Sequence, residues 1–314
     1  DTPRPAIVPF TRAEAESHQA AWAQHLGLSV GFENSVGMKF RIIPPGQIFT
    51  GSSRQEVDAE AKLGTDRNLP IWYFNFLQYE APQHQVTLTK PFGIGVYEVT
   101  RGQFRQFVDD TGYKTDAERN GTGGEGFRNG QIVKGPEFVW NSDLGFNPPE
   151  SDDSPVVNIT CNDGTEFCKW LTKKEGVTYR LPTEAEWAFA CRSGNPGRYC
   201  FGDDDAMLKH YAWVLDGDRS GASEVGCKLA NAFGLFDMHG NVWEWCQDWH
   251  GTYPSQPLID PTGPESGEYR VGRGGAWGGA NEFCRTAFRS WGINGAYSTG
   301  FRVVRTFSAP DADT

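Results

Sequence analysis

The segment of this chain with the most chemical potential is residues 270–289, which read RVGRGGAWGGANEFCRTAFR. It combines one cysteine, Cys284, with Trp277, several arginines and glycines that leave the backbone free to turn. A cysteine in such a setting can be a catalyst, one half of a disulfide, or a bystander beside a binding surface. The residues alone leave these three roles open.

The spacing of the cysteines argues against the common metal and redox motifs. Seven cysteines occur, at positions 161, 168, 191, 200, 227, 246 and 284, and no two of them form a C-x-x-C pair. A zinc ribbon or a dithiol redox motif is therefore not supported. The odd number leaves at least one thiol without an internal partner. A reducing cytosol and an oxidising exterior both stay open.

Capping boxes predict where the helices that position these segments begin. In each box a threonine side chain and an acidic or amide side chain three residues later satisfy each other's backbone N–H groups. The boxes are Thr11 with Glu14, Thr100 with Gln103, Thr160 with Asp163, and Thr183 with Glu186. Residues 195–305 read as short strands and turns, so the pattern predicts an α+β fold and not an alternating βαβ fold.

Charge and hydropathy restrict the class of partner. The net charge is −11 over 314 residues, and no cluster of Lys and Arg is present to neutralise phosphates, so we expect no nucleic-acid partner. No apolar run approaches the roughly 18 residues of a membrane-spanning helix, so we expect no membrane insertion. The first residues, DTPRPAIVPF, show no signal peptide, as would also hold for a trimmed chain.

Four motifs, in this order along the chain, resemble the formylglycine-generating enzyme, or sulfatase-modifying factor, family. They are YRLPTEAEWAFACRSG, NAFGLFDMHGNVWEWCQDW, RVGRGGAWGG followed by CRTAFRS, and GFRVVR. The resemblance implies an irregular, C-type-lectin-like α+β fold with little regular secondary structure. It implies one large domain, which we place over residues 31–314. Residues 1–30 fall outside the resemblance and contain the lead-in helix that Thr11 and Glu14 predict. Because the family includes copper oxidases, iron sulfoxide synthases and non-catalytic binding proteins, membership does not define activity.

The resemblance sharpens the question of Cys284. The copper enzymes of the family use two cysteines a few residues apart, and paired thiolates suit Cu(I). Counted forward from the Gly-Gly turn, Gly279 holds the first thiol position and Cys284 the second. Counted back from the arginines, Cys284 matches a downstream cysteine that bridges to the helix position held here by Cys191. We favour the second alignment, which predicts a Cys191–Cys284 disulfide.

Both alignments leave the copper pair incomplete, and Ala276 replaces the serine of the family's turn. Copper is therefore not expected, and neither is formylglycine generation. The predicted disulfide would favour a location outside the cytoplasm.

The resemblance also implies a calcium site in the segment DMHGNVWEW. Its ligands in this chain would be the carboxylates of Asp237 and Glu244 and the main-chain carbonyls of Gly240 and Val242. Ca²⁺ accepts such mixtures of hard oxygen ligands. The alternative is that the two carboxylates form hydrogen bonds in a turn, with the neighbouring tryptophans in the core.

We expect Arg285, Arg289 and Arg302 to form a buried or half-buried framework that donates hydrogen bonds to turn carbonyls. The residues between them are small or aromatic and include no acid–base pair. Tyr, Trp, Ser, Gly and Asn are typical of recognition surfaces, so residues 277–299 predict a binding face for a protein or small-molecule ligand. Ordinary turn and core residues are the alternative. The candidate residues are Trp277, Asn281, Phe283, Trp291, Ile293, Asn294, Tyr297 and Ser298.

The same composition resembles the variable proteins of diversity-generating retroelements, in which asparagine codons near the C-terminus are mutagenised. In that case Glu282 would have to be a fixed position. Our hypothesis is therefore a binding member of the family that does not generate formylglycine. The alternative is a metal-dependent oxidative enzyme acting on another substrate. The H-x-x-x-H-x-E helix of the sulfoxide synthases does not occur in this sequence, so such an enzyme needs a different metal arrangement.

Overall fold

The structure is a computed structural model that describes residues 2–147, 149–215, 221–292 and 295–307. All four helix starts predicted from capping boxes occur in it. At the sharpest of them, the Thr183 amide donates to Glu186 Oε2 at 2.9 Å and the Glu186 amide donates to the Thr183 hydroxyl oxygen at 3.0 Å. Two further capping boxes, led by Ser53 and Thr115, were not predicted.

The helices are short and scattered along the chain. Within the described residues they are α1 (Arg12–His25), α2 (Arg54–Asp66), α3 (Ile71–Leu77), α4 (Arg101–Thr111), α5 (Asp116–Arg119), α6 (Cys161–Glu175), α7 (Glu184–Arg192) and α8 (Leu208–Tyr211). Single 3₁₀ turns occur at Gln78–Glu80, Asp205–Met207 and Asn281–Cys284. None of the described helices has the length and apolar character needed to cross a membrane.

The strands are shorter still and form several small sheets. In chain order they are β1 (Ala6–Ile7), β2 (Gly31–Glu33), β3 (Lys39–Ile43), β4 (Gly46–Thr50), β5 (His84–Leu88), β6 (Phe92–Gly95), β7 (Gly124–Arg128), β8 (Gln131–Gly135), β9 (Tyr179–Arg180), β10 (Trp243–Trp249), β11 (Leu258–Ile259), β12 (Arg270–Arg273), β13 (Ser290–Gly292), β14 (Thr299–Gly300) and β15 (Val304–Thr306).

Most sheet neighbours are distant in sequence. The sheet orders are β1-β4-β5-β11, β2-β3-β6-β15-β9 and β13-β12-β10-β14, and β7 and β8 form a separate hairpin. The predicted α+β fold with little regular secondary structure is therefore confirmed. Because each sheet is small, the fold relies on side chains to join one piece of backbone to the next.

The N-terminal helix α1 packs against the sheet that contains β3. Gln19 is buried, and its Nε2 donates to the carbonyls of Ile42 at 2.8 Å and Phe233 at 3.1 Å. Ala15 lies in the main hydrophobic core, and Trp22 packs with Ile42. A domain boundary at residue 30 stays a prediction, while these contacts join the helix closely to the rest of the fold.

Helix α7 lies at the centre of the molecule, with each of its residues buried. Its Trp187 is fully buried and donates Nε1–H to Glu244 Oε2 in β10 at 2.7 Å. Glu244 is in turn paired with Arg302, which precedes β15. Arg302 Nη2 lies 2.6 Å from Glu244 Oε1 and Nε lies 2.6 Å from Oε2, and both side chains are fully buried.

The rest of the Arg302 guanidinium is bonded to main-chain oxygens. Nη1 donates to Gly95 O at 2.9 Å, and Nη2 donates to Phe236 O at 3.0 Å. One side chain therefore connects β6, the segment before β10, β10 itself and the C-terminal strand. Arg302 therefore has the framework role that was expected for the C-terminal arginines.

We expect Arg302→Met to destabilise the protein strongly. The substitution leaves the Glu244 carboxylate buried without its cation, which typically costs about 3–5 kcal/mol of the free energy of unfolding. Urea unfolding followed by circular dichroism measures this loss. Arg105→Met is the matched control, because Arg105 pairs with Asp152 at an exposed position and exposed pairs contribute little. Equal losses in the two variants would contradict a structural role for the buried pair.

Candidate functional site

Four of the six predicted binding residues that the structure describes belong to two aromatic clusters. The first, here called the Trp277 cluster, consists of Trp277, Phe146 and Tyr297. The Trp277 ring centroid lies 5.5 Å from that of Phe146 and 5.8 Å from that of Tyr297. The three rings belong to a hydrophobic cluster that also includes Phe127 and Val133 of the β7–β8 hairpin.

Within the Trp277 cluster the tryptophan is buried and the tyrosine is half-buried. Trp277 is 6% exposed, and its buried Nε1 has no hydrogen-bond acceptor within the described residues. Tyr297 is half-buried, and burial raises the pKa of its hydroxyl. Ser298 is also half-buried, while its carbonyl accepts from the Trp243 amide at 2.8 Å. An indole N–H without an acceptor is a group that a polar ligand atom can satisfy.

The second cluster, here called the Trp291 cluster, consists of Trp291, Phe76, His250, Phe283 and Trp72 and joins the C-terminal segment to α3. Trp291 stacks on Phe76 with ring centroids 3.9 Å apart, and the His250 ring lies 4.2 Å from it. Phe283 is buried and packs against Trp72 at 4.8 Å. Trp72 itself is 43% exposed, and the neighbouring Ile71 is 78% exposed.

Helices α2 and α3 also contribute to this surface, which was not predicted from the sequence. The signal was present in IWYFNFLQY, residues 71–79, an aromatic-rich run in a helix too short to bury all of it. Glu60 and Glu80, from the same part of the chain, reach Arg285, whose Nη2 lies 2.6 Å from Glu80 Oε1. These ion pairs hold the α2–α3 segment against the C-terminal segment.

The remaining candidates have mixed positions. Asn281 is half-buried, and its carbonyl accepts from the Tyr199 hydroxyl at 3.3 Å. Glu282, which a diversified surface would need to keep fixed, is buried and paired with Arg67. Ile293 and Asn294 lie outside the described residues. The structure thus leaves Asn281, Trp291, Tyr297 and Ser298 partly accessible, whereas Trp277 and Phe283 mainly support them.

The predicted Cys191–Cys284 disulfide is absent from the structure, where both side chains are free, buried thiols. Cys191 Sγ lies 3.7 Å from His239 Nε2 and 3.8 Å from Thr286 Oγ1. Cys284 Sγ instead lies 3.9 Å from the Ala280 carbonyl. The two sulfurs therefore make different contacts. The disulfide was the reason to favour a location outside the cytoplasm, and the structure does not supply that reason.

The Gly-Gly turn packs directly on Cys284. A Cβ atom added at Gly275, whose φ is +80°, would lie 2.5 Å from Cys284 Sγ. Burial raises the pKa of the Cys191 thiol to about 12 and raises the pKa of the Cys284 thiol still further. Both sulfurs are therefore protonated thiols at neutral pH and not thiolates.

His239, which contacts the Cys191 thiol and the Cys284 carbonyl, has a structural role. Its Nδ1 lies 2.8 Å from the Cys284 carbonyl and its Nε2 accepts from the Cys200 amide at 3.0 Å. A carbonyl can only accept, so Nδ1 carries the proton. Burial lowers the pKa of His239 to about 4, which keeps the imidazole neutral. Both ring nitrogens are thus occupied by main-chain groups.

The predicted calcium segment lies beside a group of buried carboxylates. Asp237 Oδ2 accepts from the Gly226 amide at 2.7 Å, but Asp237 Oδ1 is buried without a partner among the described residues. The same is true of both carboxylate oxygens of Glu98, a residue that the sequence analysis did not select. Glu244, in contrast, is fully used by Arg302 and Trp187.

The charges in this group do not balance. Arg302 neutralises Glu244 directly but makes no hydrogen bond to Glu98 or Asp237 among the described residues. Burial, reinforced by the neighbouring Asp237 and Glu244, raises the pKa of Glu98 well above its usual range, and burial raises the pKa of Asp237 to about 6. Buried carboxylates with open oxygens have an environment that a bound cation would stabilise.

No three His, Cys, Asp or Glu side chains converge as a metal cage in the part of the chain that the structure describes. A cation at this position would therefore take some of its ligands from main-chain carbonyls, as the predicted set with Gly240 and Val242 does. The open oxygens fit such an ion, with Glu98 and Asp237 as its carboxylates. The Glu244 carboxylate does not fit as a direct ligand while Arg302 occupies it.

Comparison with known proteins agrees with the fold and the motifs. Residues 34–307 match the sulfatase-modifying factor enzyme 1-like domain. The formylglycine-generating enzyme of Streptomyces coelicolor is 35% identical over 246 residues, which cover 67% of this chain and 76% of that protein.

Two solved structures have similar folds. PvdO from Pseudomonas aeruginosa superposes with a TM-score of 0.66 at 27% identity, covering 88% of this chain and 98% of PvdO. Treponema denticola variable protein 1 superposes with a TM-score of 0.64 at 22% identity, covering 89% of this chain and all of that chain. The second likeness concerns the fold alone.

We expect all seven cysteines to titrate as thiols in denaturant without added reductant, because no disulfide joins any of them. In the native protein a thiol reagent should modify the exposed Cys227 first. Cys191 and Cys284 should react only on unfolding, since they are buried and protonated. Peptide mapping by mass spectrometry locates the label. A Cys191–Cys284 cross-linked peptide under non-reducing conditions would show that the disulfide forms after all.

Proposed function

The chain belongs to the sulfatase-modifying factor family, and we propose that it is a binding member that does not generate formylglycine. The observation that carries this proposal is the state of Cys284. It is the sole thiol among residues 270–289, it is fully buried, and the turn at Gly275 packs on its sulfur.

Copper chemistry in the family needs two accessible thiolates, which are soft ligands suited to Cu(I). In this chain Gly279 stands at one of the candidate positions, and it has no side chain to donate. Ala276, at the position of the family's serine, is buried and carries no hydroxyl. These features support a role other than oxidation of a peptide cysteine.

The geometry of the C-terminal surface supports binding. Asn281, Trp291, Tyr297 and Ser298 are partly accessible, and Trp291 is held rigidly by its stacking on Phe76. Rigid aromatic side chains provide contact area at a low cost in conformational entropy, and Asn and Ser add adaptable hydrogen bonds. We propose that a protein or small-molecule ligand contacts this partly accessible set.

A retroelement-diversified surface is a narrower form of the same proposal. Positions that vary must tolerate substitution, which suits the partly accessible Asn281 and Ser298. It does not suit Phe283, which is buried among aromatic rings, or Glu282, which is paired with Arg67. Template-directed changes confined to the accessible positions in the genes of related strains would support this form.

Metal content and peptide oxidation distinguish the binding proposal from an enzyme. We expect purified protein to contain no stoichiometric copper or iron, and to form no aldehyde on a Cys-x-Pro-x-Arg peptide in the presence of Cu(I) and oxygen. Elemental analysis and mass spectrometry measure the two outcomes. Aldehyde formation, or copper bound at Cys284, would overturn the proposal. Stoichiometric iron would favour the oxidative-enzyme alternative.

The binding face can be tested with ligands selected on the intact protein from a peptide display library. We expect Tyr297→Ala and Asn281→Arg each to weaken such ligands by about tenfold or more, because contacts at the centre of an interface carry most of its energy. Trp170→Ala is the matched control, since Trp170 is a partly buried aromatic residue of α6 outside both clusters. Ligands that bind all variants equally would place the binding surface elsewhere.

We propose further that Ca²⁺ binds beside the buried carboxylates of Asp237 and Glu98. The main-chain carbonyls of Gly240 and Val242 would complete part of its coordination, and Glu244 would act indirectly through its pair with Arg302. The support is the three buried carboxylate oxygens that have no hydrogen-bond donor among the described residues. Ca²⁺ tolerates this mixture of ligands and an irregular geometry.

Calcium should raise the midpoint of thermal unfolding, Tm, relative to protein in EGTA. At about 100 times its Kd a ligand adds about 2.7 kcal/mol, which corresponds to roughly 4 °C for a chain of 314 residues. Asp237→Asn and Glu98→Gln should remove the calcium-dependent increase. Without calcium these variants should be no less stable than the wild type, because each replaces a buried carboxyl group that is unfavourable to ionise.

Glu175→Gln is the control for the calcium experiment, since Glu175 is a carboxylate bonded to Ser35 and Tyr179. It should keep the full calcium-dependent increase in Tm. A calcium response that survives in Asp237→Asn and Glu98→Gln would place the ion at another site.

A further inference from the structure

A cavity of about 370 Å³ lies between β5, the N-terminal end of α7 and the loop that follows β10. None of the predicted binding residues lines it, and the proposed calcium ligands do not line it either. Its volume is within the range of small-molecule sites, which are usually about 300–1,000 Å³. The cavity is therefore a separate candidate for ligand binding.

Most of the cavity wall is apolar. Val86 from β5, Ala185 from α7 and Leu258 from β11 line it. The segment 249–264 closes it with Trp249 and with three of its four prolines, Pro254, Pro261 and Pro264. Prolines restrict the backbone of this loop. The wall therefore loses less conformational entropy when a ligand binds than a glycine-rich loop would. Such a wall accommodates the apolar body of a small molecule.

Arg289 and Glu184, two charged residues at the wall, form hydrogen bonds with each other. Arg289 Nε donates to Glu184 Oε1 at 2.6 Å and Nη2 donates to Oε2 at 2.8 Å, while the Tyr253 hydroxyl donates to Oε1 at 3.0 Å. Arg289 Nη1 donates to the carbonyls of Tyr79 and Gly251, each at 2.9 Å. Neither side chain has strong hydrogen-bonding capacity left for a ligand.

Asp248 is different, because half of its carboxylate is open. The side chain is 3% exposed, and its Oδ2 accepts from the Glu184 amide at 2.9 Å. Oδ1 has no hydrogen bond among the described residues. Burial, together with the neighbouring Glu184 carboxylate, raises the pKa of Asp248 to about 7. The nearby cation, Arg289, is hydrogen-bonded to Glu184, so no cation is bonded to the ionised form of Asp248 among the described residues and a ligand could supply one.

His84 offers a second acceptor at the same cavity. Its Nδ1 lies 3.1 Å from the Pro82 carbonyl, so Nδ1 carries the proton and Nε2 has a free lone pair. Burial lowers the pKa of His84, which keeps the ring neutral. Asp248 Oδ1 and His84 Nε2, the open side-chain atoms described at this cavity, are therefore both hydrogen-bond acceptors. The Asp248 carboxylate is anionic when it is deprotonated.

We propose that this cavity binds a small primary amine in its ammonium form, with Asp248 as the counter-charge, His84 as a second acceptor and the apolar wall around the body of the ligand. An anionic ligand is disfavoured, because the Arg289 guanidinium is already occupied by Glu184 and two main-chain carbonyls. A single open carboxylate suits a monovalent ammonium better than a divalent metal ion, which needs several anionic ligands.

Benzylamine is a suitable probe, and benzyl alcohol is its uncharged analogue of nearly equal shape. Titration calorimetry on the intact protein should show saturable binding of benzylamine with a Kd of about 1 mM or tighter. Benzyl alcohol should bind at least tenfold more weakly. Asp248→Asn should reduce this preference to less than about twofold, because the asparagine keeps an acceptor for the Glu184 amide but removes the charge.

Leu258→Trp is the second variant, because it fills the cavity without altering any hydrogen bond of Asp248 or His84. It should abolish binding of both probes even if Asp248→Asn fails to fold. Asp110→Asn, an exposed carboxylate on α4, should bind benzylamine like the wild type. The proposal is overturned if benzylamine does not saturate, if benzyl alcohol binds equally well, or if Leu258→Trp retains binding. These outcomes are independent of copper content, peptide oxidation and the C-terminal face.

Discussion

The fold depends above all on the buried ion pair between Arg302 and Glu244. Both side chains are fully buried, and the arginine also bonds to main-chain oxygens of β6 and of the segment before β10. A buried charge without a partner is strongly unfavourable, so these backbone segments can come together only in the arrangement that completes the pair. In a fold of very short strands, this requirement replaces much of the order that long sheets provide elsewhere.

The same principle extends to the rest of the C-terminal segment. Arg289 pairs with Glu184 at the start of α7, and Arg285 pairs with Glu80 after α3. Their remaining N–H groups satisfy carbonyls of irregular backbone, which would otherwise be buried without donors. The candidate binding surface is therefore displayed on a framework of buried arginines, and its accessible side chains can differ without disturbing that framework.

Burial also determines which side chains of this chain are available for chemistry. The thiol of Cys284 is enclosed and protonated, and His239 beside it is neutral and bonded to main-chain groups on both sides. The open polar atoms lie elsewhere, at Asp237 and Glu98 near the β10 turn and at Asp248 in the cavity. Sites for a cation are thus better supported by the structure than a site for a reactive sulfur.

The sequence by itself determined the local features, because these depend on residues that are close along the chain. The four predicted capping boxes, such as Thr183 with Glu186, need only a three-residue spacing, and the motifs around them were sufficient to identify the family. Tertiary structure decided which distant groups meet. It placed α3 against Trp291, paired Glu244 with Arg302 and kept Cys191 apart from Cys284. Those contacts depend on how small sheets pack against one another, and no short-range pattern in the sequence encodes that packing.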